Sequence, residues 1–223
     1  MSSEPVHDAA SDPAHAIGER LAAHRARRGV KVSALAREIG VSPSLISQIE
    51  RGQSRPSVST LFALAEALAV PVDAFFRDAG PAAPARVADT ARPHDRYMVR
   101  VNQRAAIDIE GGVRWERLTP TPLEALEFME LIYEPRAESH ASLYRHPGFE
   151  MVLLLSGRLS IFVGFERYDL EPGDSISFPS TMPHRYLNPT DETSRAVTMI
   201  LRDGLPGDQA ADEAGRESRS HTA

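Results

Sequence analysis

The chain has 223 residues, 42% of them hydrophobic and 25% charged, with a formal net charge of −6; this is an ordinary globular composition with room for two small domains. It has no cysteine, which excludes disulfides, thiolate metal sites and cysteine nucleophiles. The longest purely apolar run, Met151 to Leu155, is far too short to span a membrane, and the N-terminus lacks the apolar core of a secretory signal. The expectation is a cytoplasmic protein with no membrane partner.

The net charge conceals a division. Between Ala16 and Arg77 there are nine basic and five acidic residues, a net of +4, whereas from Ala79 onward 16 basic residues meet 22 acidic ones, a net of −6. A basic N-terminal part joined to an acidic C-terminal part suits a DNA reader with a separate second domain, although an Arg-rich solvated helical face would give the same sum.

Taken in order, residues 1–14 are small, polar and Pro-containing and read as a disordered tail. A helix is predicted from about Ala16 to Arg28, with Ile17 and Leu21 inward, Arg20, Arg25, Arg27 and Arg28 outward, and Gly29 ending it. Ser33 would cap a second helix, Ala34 to Ile39, that stops at Gly40. Ser42 is a good N-cap and Pro43 fits the first helical position, so a third, short helix is predicted to end at Gly52. Its Ile46 and Ile49 lie on one side; Ser44, Ser47 and Gln48 lie on the other, a short, uncharged, hydrogen-bonding face of the kind that reads base edges in a major groove. A fourth helix, about Val58 to Ala69, carries Val58, Leu61, Phe62, Ala65 and Leu68 on one stripe. After Pro71, Val72 to Phe76 reads as a last helical turn. The prediction is thus a five-helix domain over residues 15–78.

The segment from Val30 to Phe76 resembles the helix-turn-helix domain of the xenobiotic-response-element family, which includes the phage lambda and Cro repressors. The matching residues are Leu35-Ala36, Gly40-Val41-Ser42, Ile46 through Gly52, Arg55-Pro56-Ser57, Leu61 and Leu68. Many members have Gln at the start of the second helix, where this chain has Val32. The resemblance implies a double-stranded DNA operator as partner, with Ser42, Pro43, Ser44, Ser47 and Gln48 towards base edges. Gln48 is the candidate for a bidentate contact to adenine, and Arg51, Gln53 and Arg55 would hold phosphates.

Residues 79–95 are rich in Pro and Ala and read as a linker. From residue 96 to 203 the pattern is one of short strands: Tyr97–Val101, Ala106–Ile109, Val113–Leu118, Leu126–Tyr133, Phe149–Leu155, Arg158–Val163, Ser175–Phe178, His184–Leu187 and Arg195–Leu201. Such a run means a sandwich or small barrel. Residues 204–223 read as a disordered tail. The fold class expected is α + β in two domains, a helical DNA-binding bundle followed by a β barrel.

His146 and Glu150 have the same parity along one strand, so both side chains are expected to point into the same face; His184 opens a later strand with Asn188 on its face. Two imidazoles and a carboxylate converging in a barrel suit one divalent transition metal, Zn, Fe, Ni or Mn. A buried His–Glu hydrogen bond with no cofactor explains the same residues. From about Leu126 to Leu201 the chain resembles the cupin family, a double-stranded β-helix or jelly-roll barrel. The matches are His146, Glu150 and Gly157, then Pro172-Gly173-Asp174, Pro179, Pro183-His184 and Asn188. The usual first His, two before His146, is Tyr144 here; His140 is a more remote candidate. The resemblance implies a sensor pocket for a small-molecule effector, to which Trp115, Arg117, Tyr144 and Asn188 are assigned, and a barrel that holds a homodimer together. The function expected is a transcriptional regulator whose barrel modulates operator binding. The alternative is a non-haem iron oxidase, since the hydroxypropylphosphonate epoxidases also join such a helical domain to a cupin and use the same His, Glu and His pattern.

Overall fold

The computed structural model describes residues 13–76, 97–123 and 125–202. The predicted linker and the two predicted tails, apart from Pro13 and Ala14, lie outside the described residues.

The N-terminal part is four α-helices, α1 Pro13–Arg27, α2 Val32–Glu38, α3 Pro43–Glu50 and α4 Val58–Ala67, followed by a 3-10 turn at Val72–Phe75 where a fifth helix was expected. The α1 helix begins at Pro13, inside the stretch read as tail, because proline suits a first helical turn that has no use for its missing N–H. Ser33 is not the cap of α2; Lys31 occupies that position without a side-chain cap bond. Ser42 does cap α3, its hydroxyl accepting from Leu45 N at 3.1 Å with Pro43 next in line, and Ser57 caps α4 in the same way. Between α2 and α3 the chain reverses at Gly40, whose φ of 75° is a left-handed conformation open to glycine at no steric cost.

Gly18 answers to a different demand. It sits where α1 crosses α3, and a Cβ there would lie 2.3 Å from the backbone oxygen of Ile49. The crossing is held further along by Arg25, whose Nε donates to Glu50 Oε1 at 2.6 Å and whose Nη2 donates to Oε2 at 3.0 Å. Arg25, expected among the outward arginines, is therefore a fork that locks α1 to the end of α3.

Among the described residues the C-terminal part has nine strands in two sheets. One runs β1(Ala106–Ile109), β2(Val113–Arg117), β3(Leu126–Tyr133), β9(Ser194–Leu201), β4(Phe149–Ser156), β7(Ser175–Pro179); the other runs β6(Glu166–Leu170), β5(Leu159–Val163), β8(His184–Leu187). All described pairings are antiparallel, as in a jelly roll. Two expectations fail locally. Tyr97–Val101 forms no strand, and a 3-10 turn at Val101–Gln103 leads into β1 instead. The β6 strand was missed because Glu-Arg-Tyr-Asp-Leu is exposed at its first four positions and so carries no apolar alternation.

The two parts share one connected core, running from Ile17 and Leu21 through Phe75 and Phe76 to Trp115, Ile161 and Tyr186. Their contact is specific as well as apolar. Arg117 Nη1 of β2 donates to Asp73 Oδ1 at 2.9 Å, both side chains being nearly buried, and Glu110 N donates to Pro56 O at 3.0 Å. Phe62, expected on the inner stripe of α4, instead leaves the helical core and reaches the barrel, its ring 5.8 Å from that of Trp115. The bundle is docked on the barrel through α1, which packs against β1, through Pro56, and through α4 and the turn after it.

Candidate nucleic-acid interface and metal centre

The α3 helix is buried along Ile46 and Ile49 and open along the other side, where Ser42, Pro43, Ser44 and Gln48 are exposed and Ser47 half-buried. Arg51, Gln53 and Arg55 are exposed just past its end. Arg51 Nε donates to Gln53 Oε1 at 3.0 Å, which sets those two side chains next to each other. Ser42 accepts the cap bond with its hydroxyl oxygen and keeps its O–H to donate, alongside the polar groups of Ser44, Ser47 and Gln48 on the helix face. The barrel contacts come from α1, α4, the turn after it and Pro56, and this face of α3 is left to solvent.

The second cluster lies in the barrel. His146 and Glu150 are not on one strand: β4 begins at Phe149, and His146 sits in the preceding loop, its N–H bonded to Ser180 O. They converge all the same with His184 at the start of β8. His146 Nε2 is 3.5 Å and His184 Nε2 3.6 Å from Glu150 Oε2, and all three ligand atoms lie within 4.8 Å of one another. Each imidazole has its Nδ1 against a backbone oxygen, His146 against Pro147 O at 3.1 Å and His184 against Met182 O at 2.8 Å. A carbonyl can only accept, so Nδ1 carries the proton and Nε2 turns its lone pair inward.

Glu150 divides its two oxygens in the same sense. Oε1 accepts from the Tyr186 hydroxyl at 2.6 Å and from Thr198 Oγ1 at 3.3 Å. Oε2, His146 Nε2 and His184 Nε2 are buried without a hydrogen-bond partner. Three lone pairs facing one another without a donor is a costly arrangement unless a cation joins them. Burial pushes the Glu150 carboxyl up, but hydrogen bonding and positive charge from His146 and His184 in their protonated form, together with the Tyr186 hydroxyl, outweigh it and hold the group below its ordinary value, as a bound cation would. Burial lowers His184 against the opposing pull of Glu150. Both shifts favour the deprotonated donors that a metal requires, so the residues fit a divalent transition ion.

Of the residues assigned to an effector pocket, Tyr144 is beside this cluster, its ring 4.6 Å from that of His184. Burial, reinforced by Tyr133 and Glu150, pushes its hydroxyl well above the usual phenol range. Trp115 is buried near Phe62. The other two are placed differently. Arg117 is committed to Asp73 across the domain boundary. Asn188 donates to the backbone oxygens of Tyr133, Glu134 and Glu192 and accepts from Thr190 N, so its side chain is committed to pinning a loop. His140 accepts from Ser142 N at 3.0 Å in its own loop, away from the three ligands.

Three participants went unread in the sequence. Tyr186 follows His184 by two positions on β8, and that shared parity was its signal. Thr198 was legible as a polar residue on the inward face of β9, between Ala196 and Ile200. Phe62 stacks on His146 with ring centroids 3.8 Å apart and planes 9° from parallel, and nothing in its helical spacing announced that.

Comparison with known proteins agrees with this division. A helix-turn-helix domain model matches residues 16–75 and a cupin domain model matches residues 129–200. The chain is 28% identical over 177 residues to the HTH-type transcriptional regulator SutR of Escherichia coli (strain K12), covering 79% of this chain and 89% of that protein. It is 26% identical over 198 residues to the HTH-type transcriptional regulator PuuR of the same organism, covering 88% and 98%. Among solved structures, an HTH_3 family transcriptional regulator from Vibrio cholerae superposes with a TM-score of 0.56 at 23% identity, over 86% of this chain and 97% of that one, a likeness of fold.

Proposed function

From the premise that this chain is a helix-turn-helix transcriptional regulator with a C-terminal cupin domain, we propose that it binds a specific operator in the cytoplasm as a homodimer and that its barrel adjusts that binding. The observation that carries the reading is α3, buried on its apolar side and open on a side made of Ser44, Ser47 and Gln48. In this reading Ser42, Pro43, Ser44, Ser47 and Gln48 meet base edges while Arg51, Gln53 and Arg55 meet phosphates. Two copies would set their reading helices on half-sites about 34 Å apart.

The outer face of the six-stranded sheet supports the dimer. Phe128, Met151, Leu153, Val197 and Met199 form a shallow apolar groove there, with Ile176 at its edge. Apolar side chains gathered on one open sheet face suit a self-complementary contact.

His146, Glu150 and His184 would hold the metal, which when bound would join the loop before β4 to β8. The ordering of the barrel mouth by that link is a route by which the barrel could act on the bundle above it, since Phe62 of α4 rests on His146. The oxidase alternative uses the same ligands, but Phe62 and Tyr144 flank them, which supports a shielded ion over one open to substrate and oxygen.

The test is a pair of variants on DNA. Gln48→Ala should relax sequence preference and cost about 1–3 kcal/mol on the operator. Arg55→Ala should weaken operator and random DNA alike and flatten the salt dependence. Equal losses on both DNAs for Gln48→Ala would remove the role assigned to that residue, and turnover of a small substrate with Fe(II) and oxygen by protein that shifts no DNA would favour the oxidase.

A further inference from the structure

The barrel interior around the three ligands is filled by Tyr133, Tyr144, Phe178 and Tyr186, which leaves little room there for an organic molecule. An open volume adjoins the cluster on the His146 side, at the seam between the two domains. A cavity of about 310 Å³ is walled on one side by Phe62, Ala65 and Ala69 of α4 and its end, and on the other by Glu127 of β3, Pro147 and Ile200. That volume is at the lower end for small-molecule sites, and most of its wall is apolar.

Three polar atoms of this wall lack a hydrogen-bond partner, Glu127 Oε2, Arg202 Nη2 and His146 Nε2, the last of them turned towards the metal ligands. Glu127 is 5% exposed, and its Oε1 accepts from Arg202 Nε at 3.2 Å and lies 3.1 Å from Arg202 Nη2 in an ion pair. Its other oxygen, Oε2, is buried with no hydrogen bond. A buried acceptor left unpaired disfavours the state that contains it, and a ligand that supplies a donor removes that penalty. The charge of Arg202 is balanced by Glu127, which disfavours a carboxylate or phosphate here, but Arg202 Nη2 still lacks an acceptor.

We propose that this seam is the ligand site of the protein, and that it takes a compact, hydrocarbon-bodied alcohol, whose O–H donates to Glu127 Oε2 while its oxygen accepts from Arg202 Nη2. The proposal deepens the regulator reading and rests on it only for the consequence at DNA. An occupant would touch α4 and the Val70–Val72 turn on one side and the barrel on the other, so it would favour one docking of the bundle over any other. Differential affinity for two arrangements is what an effector needs in order to shift operator binding.

The experiment uses full-length protein and two probes of similar size, benzyl alcohol, which has a donor, and acetophenone, which has only an acceptor. The readout is the emission of Trp115, the only tryptophan in the chain, whose ring lies 5.8 Å from Phe62 in the cavity wall. Wild-type protein should bind benzyl alcohol saturably at concentrations up to about 10 mM, and about tenfold better than acetophenone. Glu127→Gln keeps an oxygen for Arg202 and turns an amide N–H towards the cavity, so the preference should reverse. Val70→Phe, which fills the space, should remove binding of both. Upstream DNA binding is followed in the same preparations. No saturable binding by wild-type protein, or a Glu127→Gln variant with unchanged preference, overturns the seam site even if DNA binding is intact. Probe binding with the expected reversal in protein that binds no DNA would keep the site and sink the regulator reading instead.

Discussion

At the scale of single residues the barrel cluster is decided by where each donor atom points. Backbone oxygens hold both Nδ1 protons, Tyr186 and Thr198 hold one oxygen of Glu150, and the three atoms left over face inward. His184→Ala removes one of three ligands and should take the metal content of the purified protein from about one ion per chain to none. Because a ligand that binds only the folded state stabilises it, a chelator should lower the melting temperature of the wild type and leave His184→Ala unmoved. Wild-type protein that carries no ion after growth with Zn, Fe, Ni and Mn supplied would end the metal account. These ligand types were legible in the sequence because two imidazoles and a carboxylate rarely share a barrel face by chance. Asn188 was misread because a polar residue on the same face as a ligand can equally serve the backbone of a loop, and parity does not separate the two.

At the scale of elements, the DNA-reading unit depends on α1 lying close to α3. Gly18 makes that approach possible, and Gly18→Ala sets two effects against each other. Alanine favours the helix by about 1 kcal/mol, while its Cβ would stand 2.3 Å from Ile49 O, a backbone atom that cannot rotate away. Overpacking of this kind costs about 1–3 kcal/mol, so the clash wins and the variant should unfold at lower denaturant and bind DNA less tightly. A midpoint at or above that of the wild type would show that α1 and α3 can separate without loss. The helices were legible from caps and spacing, as Ser42-Pro43 and Ser57 demonstrate. Strand β6 was not, because both its faces are largely wet and its sequence carries no period. Tyr97–Val101 had the alternation of a strand, but the described backbone there is irregular and runs into a 3-10 turn.

At the scale of the molecule, what the sequence kept hidden is the docking. Phe62 has the spacing of a core residue on α4, and Arg117 that of a strand charge; their partners, His146 and Asp73, are 84 and 44 positions away, and no local pattern encodes such a pairing. The outer sheet face is a second long-range feature, with Leu153 42% exposed amid other apolar side chains. If that face joins two copies, Leu153→Glu should give a folded monomer at micromolar concentration, with a normal circular dichroism spectrum and much weaker operator binding, since a single reading helix pair is lost. An unchanged dimer would place the contact on another face.

The account as a whole rests on base reading by α3, and binding of the full-length protein to the DNA upstream of its own gene, compared with random DNA across a range of salt, tests that most directly. It predicts one upstream segment bound at least about a thousandfold more tightly than random sequence, with affinity for both falling as salt rises. Equal affinity for every sequence at every salt concentration, or no binding at all, would contradict it.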